Sequence, residues 1–270
     1  MRIRKVIRRV RRTKKGKSGP TSKLSTPGIQ KAVTAAIAAA NIRSPLPGEA
    51  LDIGSGKGEL IGAIRTRFGL RTSACDYTDA LMNDSTQRVD IVDLNAGTLP
   101  YLDGRFCLVT CVETIEHLEQ TRSLFREIFR VLEPGGLAVI TTPNTLNLRS
   151  RLRYLMTGFF NLFGPLPIGD RRVYNPGGHI NPISYFYLGH ALRETGFVDL
   201  QPRVDHYQRR SWAPFVLLFL PMKIAALFFW QREKNKFRTI TPENRDLVAA
   251  INSRDLLLGR TLIVCARKPM

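Results

Sequence analysis

The stretch Ala50-Leu-Asp-Ile-Gly-Ser-Gly-Lys-Gly-Glu59 carries the first concentrated chemistry in the chain. Asp52 stands two residues before Gly54, and Gly54, Gly56 and Gly58 form a Gly-x-Gly-x-Gly run with Ser55 between the first two. Glycine reaches positive φ and clears space where a backbone must approach a ligand, so this is a turn whose amides can face a bound molecule. The Gly-x-Gly-x-x-Gly pattern of dinucleotide turns is not met, because Glu59 follows Gly58. A carboxylate beneath the turn suits a cationic ligand better than a pyrophosphate. The alternative is an ordinary strand-to-helix turn with no ligand.

Three further groups fall in register with this turn. Asp76 lies 24 residues after Asp52 at the end of the next apolar run. A carboxylate there can accept hydrogen bonds from both hydroxyls of a ribose, and plain turn chemistry is its alternative. Asp93 and Leu94 follow a third short run, placed to take an adenine amino group and to cover the ring. In Glu113-Thr-Ile-Glu-His117, a helix would set Glu113, Glu116 and His117 at i, i+3 and i+4 on one face. Two carboxylates and an imidazole suit a divalent metal; otherwise they cap a helix or hydrogen-bond the chain.

The elements that must hold these groups alternate. Ala50–Ile53, Thr72–Cys75, Arg88–Val92 and Phe106–Val112 read as strands, the last apolar enough to be fully buried. A helix after the glycine turn ends near Phe68, with Gly69 as its stop. Thr121–Leu132 is amphipathic, with Leu124, Phe125, Ile128, Val131 and Leu132 on one face. Pro134-Gly-Gly136 stops it before a strand over Leu137–Thr142. Alternating strand and helix predict a parallel sheet covered on both sides, and 270 residues suffice for one such domain.

Taken together, Leu51-Asp-Ile-Gly-Ser-Gly-Lys-Gly58, Asp76, Asp93-Leu94, Glu113-Thr-Ile-Glu-His-Leu118, Arg130-Val-Leu-Glu-Pro-Gly-Gly136 and Thr142-Pro-Asn144 resemble, in order, the motifs of class I S-adenosylmethionine-dependent methyltransferases. The resemblance implies an α/β, Rossmann-like, seven-stranded sheet whose last strand is antiparallel, completed by a helix over Ser184–Glu194 and strands near Phe197–Val204 and Thr261–Ala266. It implies S-adenosyl-L-methionine as cofactor, with its ammonium at Asp52 and its ribose at Asp76. Gly54, Ser55, Gly56, Gly58, Asp93, Leu94 and Glu113 would line the rest of the pocket. Glu-x-x-Glu-His is similar to the magnesium-binding run of ubiquinone-biosynthesis O-methyltransferases and to part of the site in small-RNA 2′-O-methyltransferases. That implies Mg2+ at Glu113, Glu116 and His117, with His179 of Asn175-Pro-Gly-Gly-His-Ile180 as fourth ligand. Without metal, His179 is the candidate catalytic base.

Charge and apolar surface bear on partners. The net charge is +19, and Met1–Lys17 holds ten Lys or Arg with no acidic residue before Glu49. We expect residues 1–28 to be a basic, disordered arm and linker, and 29–270 to be the methyltransferase domain, with insertions at about 147–182 and 206–258 after strands five and six. Met1–Lys17 lacks the apolar core and cleavage site of a signal peptide, and Cys75, Cys107, Cys111 and Cys265 read as buried thiols, so a cytoplasmic location is expected. Ala213–Trp230 is apolar with one charge, Lys223, and we expect Pro214 and Pro221 to divide it. With Phe159–Ile168 and Arg149, Arg151, Arg153, Arg171, Arg172, Arg209, Arg210 and Arg232, it resembles a peripheral anchor for the inner face of an anionic membrane; a lid or dimer interface is the alternative.

Three functions stay open on this reading. The first is O-methylation of a small-molecule or lipid-linked acceptor at the membrane: a glycan, lipid or quinone-like molecule. The second is RNA 2′-O-methylation, against which the aromatics cluster with aliphatics instead of interleaving with basic residues. The third is a membrane-binding scaffold that keeps the fold without catalysis.

Overall fold

A computed structural model describes residues 26–168 and 178–270; the basic arm, with Arg171 and Arg172, lies outside the described residues. Thr26 is the N-cap of helix α1 (Pro27–Arg43), so the expected linker ends two residues earlier than Gly28. Proline suits a first helical turn, where its missing N–H has no partner to lose. Then follow β1 (Glu49–Ile53), α2 (Glu59–Phe68), β2 (Arg71–Asp76), β3 (Val89–Ile91), β4 (Phe106–Cys111), α3 (Thr121–Val131), β5 (Leu132–Pro143) and α4 (Leu148–Thr157). The chain closes with α5 (Tyr185–Thr195), β6 (Val198–Val204), α6 (Trp212–Arg232), α7 (Arg245–Ala250), α8 (Arg254–Leu258) and β7 (Thr261–Arg267).

The seven strands form one sheet in the order β3-β2-β1-β4-β5-β7-β6. The first five in sequence run parallel, and β7 is antiparallel to both β5 and β6. Alternation along β5 and β7 divides their side chains between two layers: Ala138, Ile140, Leu262 and Val264 on one side, Leu137, Val139, Ile263 and Cys265 on the other. The first layer packs on α3 and α5 through Leu124, Phe125, Ile128, Leu188 and Leu192; the second packs on α1 and α2 through Val33, Ile37, Leu60 and Ile64. All four cysteines are free and buried.

Three local expectations need correction. β5 begins at Leu132, not Leu137, and its register against β4 jumps from Phe106–Leu132 to Leu108–Leu137. Pro134-Gly135-Gly136 is therefore a bulge within the strand as well as the end of α3. β3 is shorter than expected, at Val89–Ile91. Pro214 and Pro221 do not divide the apolar segment: Trp212–Arg232 is one helix of 21 residues with Pro221 inside it. Pro214 falls in the first turn, which requires no donor, and Pro221 removes a single intrahelical bond on an exposed face.

α4 is aimed by its cap. Asn147 is buried; its Oδ1 accepts from Ser150 N at 2.9 Å and its Nδ2 donates to Asn144 O. Asn147→Ala is expected to lower unfolding stability by about 1–2 kcal/mol, read as a shift of the urea midpoint at unchanged slope.

Candidate active site

The strand order reverses between β1 and β4, so a crevice opens there above the carboxyl ends of the parallel strands. Asp52 and Asp76 meet at it. Asp52 pairs in register with Ala74 on β2 and with Thr110 on β4, and Asp76 ends β2. Both carboxylates are buried, and the Asp76 charge bears on Asp52. Asp52 Oδ1 accepts from Thr110 Oγ1 at 2.6 Å. Burial pushes its pKa up to about 7, with Thr110 opposing the rise and Asp76 adding to it.

The glycine turn wraps these carboxylates. Gly56 N donates to Asp76 Oδ2 at 2.8 Å and Tyr77 N to its Oδ1 at 2.7 Å, which fixes the Asp76 side chain while leaving lone pairs for a ligand. Gly54 has φ +71, and a Cβ there would stand 2.2 Å from Thr114 Oγ1. Gly58, at φ +77, caps α2, and a Cβ there would stand 2.4 Å from Met82 Sδ. The turn thus needs glycine for conformation and for space. Ser55 is buried at the turn with its Oγ unpartnered. Asp93, just beyond β3, is exposed at the same end, and Leu94 beside it packs on the core. Asp93 Oδ1 accepts from Asn95 N at 2.9 Å, which sets the loop's entry.

Beyond β4 the expected helix is absent. Glu113 has φ +51, and the helical turn is a short 3-10 segment over Ile115–His117. Thr141 on β5 takes both ends of Glu113: Glu113 N donates to Thr141 Oγ1 at 2.9 Å, and that hydroxyl donates to Glu113 Oε1 at 3.1 Å. This holds Glu113 away from the i, i+3, i+4 face, and burial raises its pKa to about 7. Glu116, His117 and His179 do converge. Their ligating atoms lie within 4.8 Å of one another, and among the described residues no other group of His, Cys, Asp and Glu does so. The His117 and His179 rings are 4.9 Å apart.

The segment bearing His179 is tied to the 3-10 turn by its backbone. Ile180 N and Asn181 N donate to Glu116 O at 2.8 and 3.0 Å, and His117 Nδ1 lies 2.8 Å from Gly178 O. Both Glu116 carboxylate oxygens and His179 Nδ1 are buried without a well-formed hydrogen bond, the Thr142 hydroxyl being close to Glu116 but out of good geometry. Burial first, and then the Glu113 charge, drives the Glu116 pKa well up; burial and the neighbouring His117 push His179 down to about 4. One carboxylate oxygen and two imidazole nitrogens converging within 4.8 Å, the carboxylate having no well-formed hydrogen bond of its own, fit a divalent cation. With Glu113 elsewhere, the set is two imidazoles and one carboxylate, which suits manganese, iron or zinc better than the expected magnesium.

Thr110, Thr141 and Thr114 are site residues that the motifs alone do not mark. Thr110 was visible as the one hydroxyl in the apolar run Phe106–Cys111. The Phe163 ring lies tilted beside His179, 5.3 Å between centroids, so the loop that carries it covers this cluster. Tyr154, Leu155, Met156, Leu162, Leu166 and Ile168 extend from it as an exposed apolar apron.

Comparisons with known proteins agree with this fold. A family profile described as a methyltransferase domain matches residues 28–201. A ubiquinone/menaquinone biosynthesis C-methyltransferase of Desulfotalea psychrophila is 25% identical over 61% of this chain and 70% of its own length. A Mycobacterium tuberculosis protein named a "probable S-adenosylmethionine-dependent methyltransferase" is 24% identical over 82% of this chain and 77% of its own. The crystal structure of a SAM-dependent methyltransferase from Archaeoglobus fulgidus superposes with TM-score 0.53 at 16% identity, covering 88% of this chain and 94% of that one, which is a likeness of fold. With the sheet order, the glycine turn over paired aspartates and the profile match all in agreement, the chain belongs to the class I S-adenosylmethionine-dependent methyltransferases.

Proposed function

We propose that this methyltransferase transfers the S-adenosylmethionine methyl group to a hydroxyl of an apolar, membrane-associated acceptor of the lipid-linked or quinone-like kind. The observation that carries the acceptor class is the exposed apron over Tyr154–Ile168, which runs from the end of α4 into the following loop and reaches the Glu116–His117–His179 cluster through Phe163. An apolar wall beside a few convergent polar groups suits a greasy acceptor with one reactive oxygen.

In this reading Asp52 pairs with the donor's ammonium, Asp76 accepts from its ribose hydroxyls, Ser55 Oγ donates to a ligand oxygen, and Asp93 and Leu94 flank the adenine. The turn amides and these side chains fix the donor so that its methyl group faces the acceptor in line. Glu116, His117 and His179 would hold a divalent cation, which supplies Lewis acidity that lowers the pKa of an acceptor hydroxyl. Without an ion, the free Nδ1 of His179 is the proton acceptor for that hydroxyl. A second reading, transfer to carbon of a quinone-like ring, is favoured by the C-methyltransferase relative.

The test is transfer of radiolabelled methyl from S-adenosylmethionine to polyprenylated phenols and to bacterial lipid extract, with RNA as a parallel substrate. Label in the organic phase, alkali-stable and on oxygen, is expected. Label on ring carbon would favour the second reading, and label in RNA alone would remove the acceptor class. For the cation, calorimetric titration with Mn2+ is expected to show one site per chain that weakens about tenfold or more in Glu116→Gln, with S-adenosylmethionine binding unchanged. Equal Mn2+ affinity in both proteins would contradict the site.

A further inference from the structure

We propose that α6 is a monotopic anchor that lies in the plane of an anionic bilayer, immersed from one side. Arg209–Phe237 is one continuous helical run of 29 residues, long and apolar enough by composition to cross a membrane. Among the residues of α6 only Ala226 is buried. Val216, Leu217, Leu220, Ile224, Leu227 and Phe228 recur at helical spacing and form one exposed apolar stripe along its length, with Val216 77%, Leu220 65% and Phe228 74% exposed. Phe215, Phe219 and Met222, on the opposite side, are half-buried. A soluble surface of this kind needs a cover.

The fold decides how a membrane can cover it. β6 precedes α6 and β7 follows α8, and the two strands pair antiparallel from Gln201–Cys265 to Val204–Leu262. A helix that crossed would place these neighbours on opposite sides of about 30 Å of hydrocarbon. Both ends of the helical run are also tied back to the domain. At the start, Ser211 is fully buried and Gln208 N donates to Leu258 O at 2.9 Å. At the finish, Thr239 N donates to Glu233 O at 3.1 Å and Asn244 Nδ2 to Thr239 O at 2.9 Å, next to α7, whose Leu247 is fully buried. The return segment, residues 238–244, would have to cross the hydrocarbon as non-helical backbone with its polar groups unmet. The helix therefore lies along the domain, with its stripe facing outward.

Charge selects an anionic lipid surface over a second copy of this basic chain. From Arg209 to Arg238 there are seven basic residues and one acidic residue, Glu233. They cluster at the two ends, and the mid-helix Lys223 lies over the Phe219 ring, its Nζ 5.5 Å from the centroid. Like-charged ends would repel in a dimer and pair with lipid headgroups in a membrane. The two tryptophans of the chain, Trp212 and Trp230, mark the two ends of the helix, residues that favour the headgroup boundary. Of the arginines expected to face lipid, Arg151 does not: its guanidinium donates to Asn252 Oδ1, Ile251 O and Leu146 O. Arg149 donates to Gln208 Oε1 at 3.1 Å, which joins the start of α4 to the chain just ahead of the helix. That the acceptor crevice then opens toward the same leaflet rests on the function proposed above.

The test is flotation of the full chain with vesicles of phosphatidylglycerol and phosphatidylcholine, at 0.5 M salt to screen the basic arm, with calorimetry of S-adenosylmethionine binding in parallel. Wild type is expected to float, and Leu220→Glu/Leu227→Glu to lose at least about tenfold in partitioning while binding S-adenosylmethionine as wild type does. Depth-dependent quenching by brominated lipids should place Trp212 and Trp230 at the headgroup boundary and a Leu220→Trp probe only about 5–10 Å beneath it, short of the bilayer centre. A Leu220→Trp probe at the bilayer centre with shallow ends would mean a spanning helix. Full S-adenosylmethionine binding without flotation, or a stable dimer dissociated by the double substitution, would overturn the anchor alone. Flotation without S-adenosylmethionine binding would leave the anchor standing and defeat the function proposed above.

Discussion

Asp52→Asn is expected to weaken S-adenosylmethionine binding at pH 8 by about 10- to 150-fold, the worth of one charge-assisted contact of about 1.5–3 kcal/mol. The same substitution should make the ligand-free protein more stable. Burial holds the Asp52 carboxyl near pH 7 against an ordinary 3.8, so the folded chain binds the proton more tightly than the unfolded chain does. The stability from that proton is complete below about pH 4 and is lost as pH rises through 7, on the order of 4 kcal/mol at most. The ligand-free melting temperature of wild type should accordingly fall from pH 5 to pH 8, and the asparagine variant should lack that part of the fall. The donor's ammonium selects the ionised form, so affinity should rise through pH 6–7 and level off above it. A pH-independent affinity in wild type would remove Asp52 from the ammonium site.

Gly54→Val is the second large effect. The added side chain meets Thr114 Oγ1 at 2.2 Å, and Thr114 has little room to yield, since its hydroxyl is within reach of Val112 O at 3.1 Å and Ile53 O at 3.4 Å. A β-branched residue at φ +71 adds strain of its own. Together these should lower unfolding stability by about 3 kcal/mol and move the turn amides off the ligand. Urea unfolding and calorimetry should show a folded but weakened protein with no measurable S-adenosylmethionine binding. Wild-type affinity in this variant would mean that the turn does not contact the donor.

How much of this was legible in the sequence follows from which interactions are local. The glycine turn and Asp76 could be read because a strand ending, a positive-φ requirement and a carboxylate are each written in adjacent residues. The contact from Gly56 N to Asp76 Oδ2 joins what the spacing suggested. Glu113 could not be read, because its backbone is set by Thr141, 28 residues away on the neighbouring strand. A helical rule applied from Glu113 onward therefore assembled the wrong face, though Glu116, His117 and His179 still meet. The continuity of α6 was missed for the opposite reason. A local rule, that proline breaks helices, outweighed the tolerance of an exposed helix for one missing bond at Pro221. The start of β5 at Leu132 was hidden by Pro134-Gly-Gly136, which reads as a stop although the strand passes through it as a bulge.

The central claim is that the crevice between β1, β2 and β4 grips a methyl donor by its amine and its ribose. Calorimetric titration of the full chain with S-adenosylmethionine and with methylthioadenosine, which keeps the ribose and adenine but lacks the amino-acid moiety with its ammonium group, tests it most directly. One S-adenosylmethionine per chain is predicted, bound at least about tenfold more tightly than methylthioadenosine, with the gap closing in Asp52→Asn. Equal affinities for the two ligands in wild type, or no heat at millimolar S-adenosylmethionine, would contradict it.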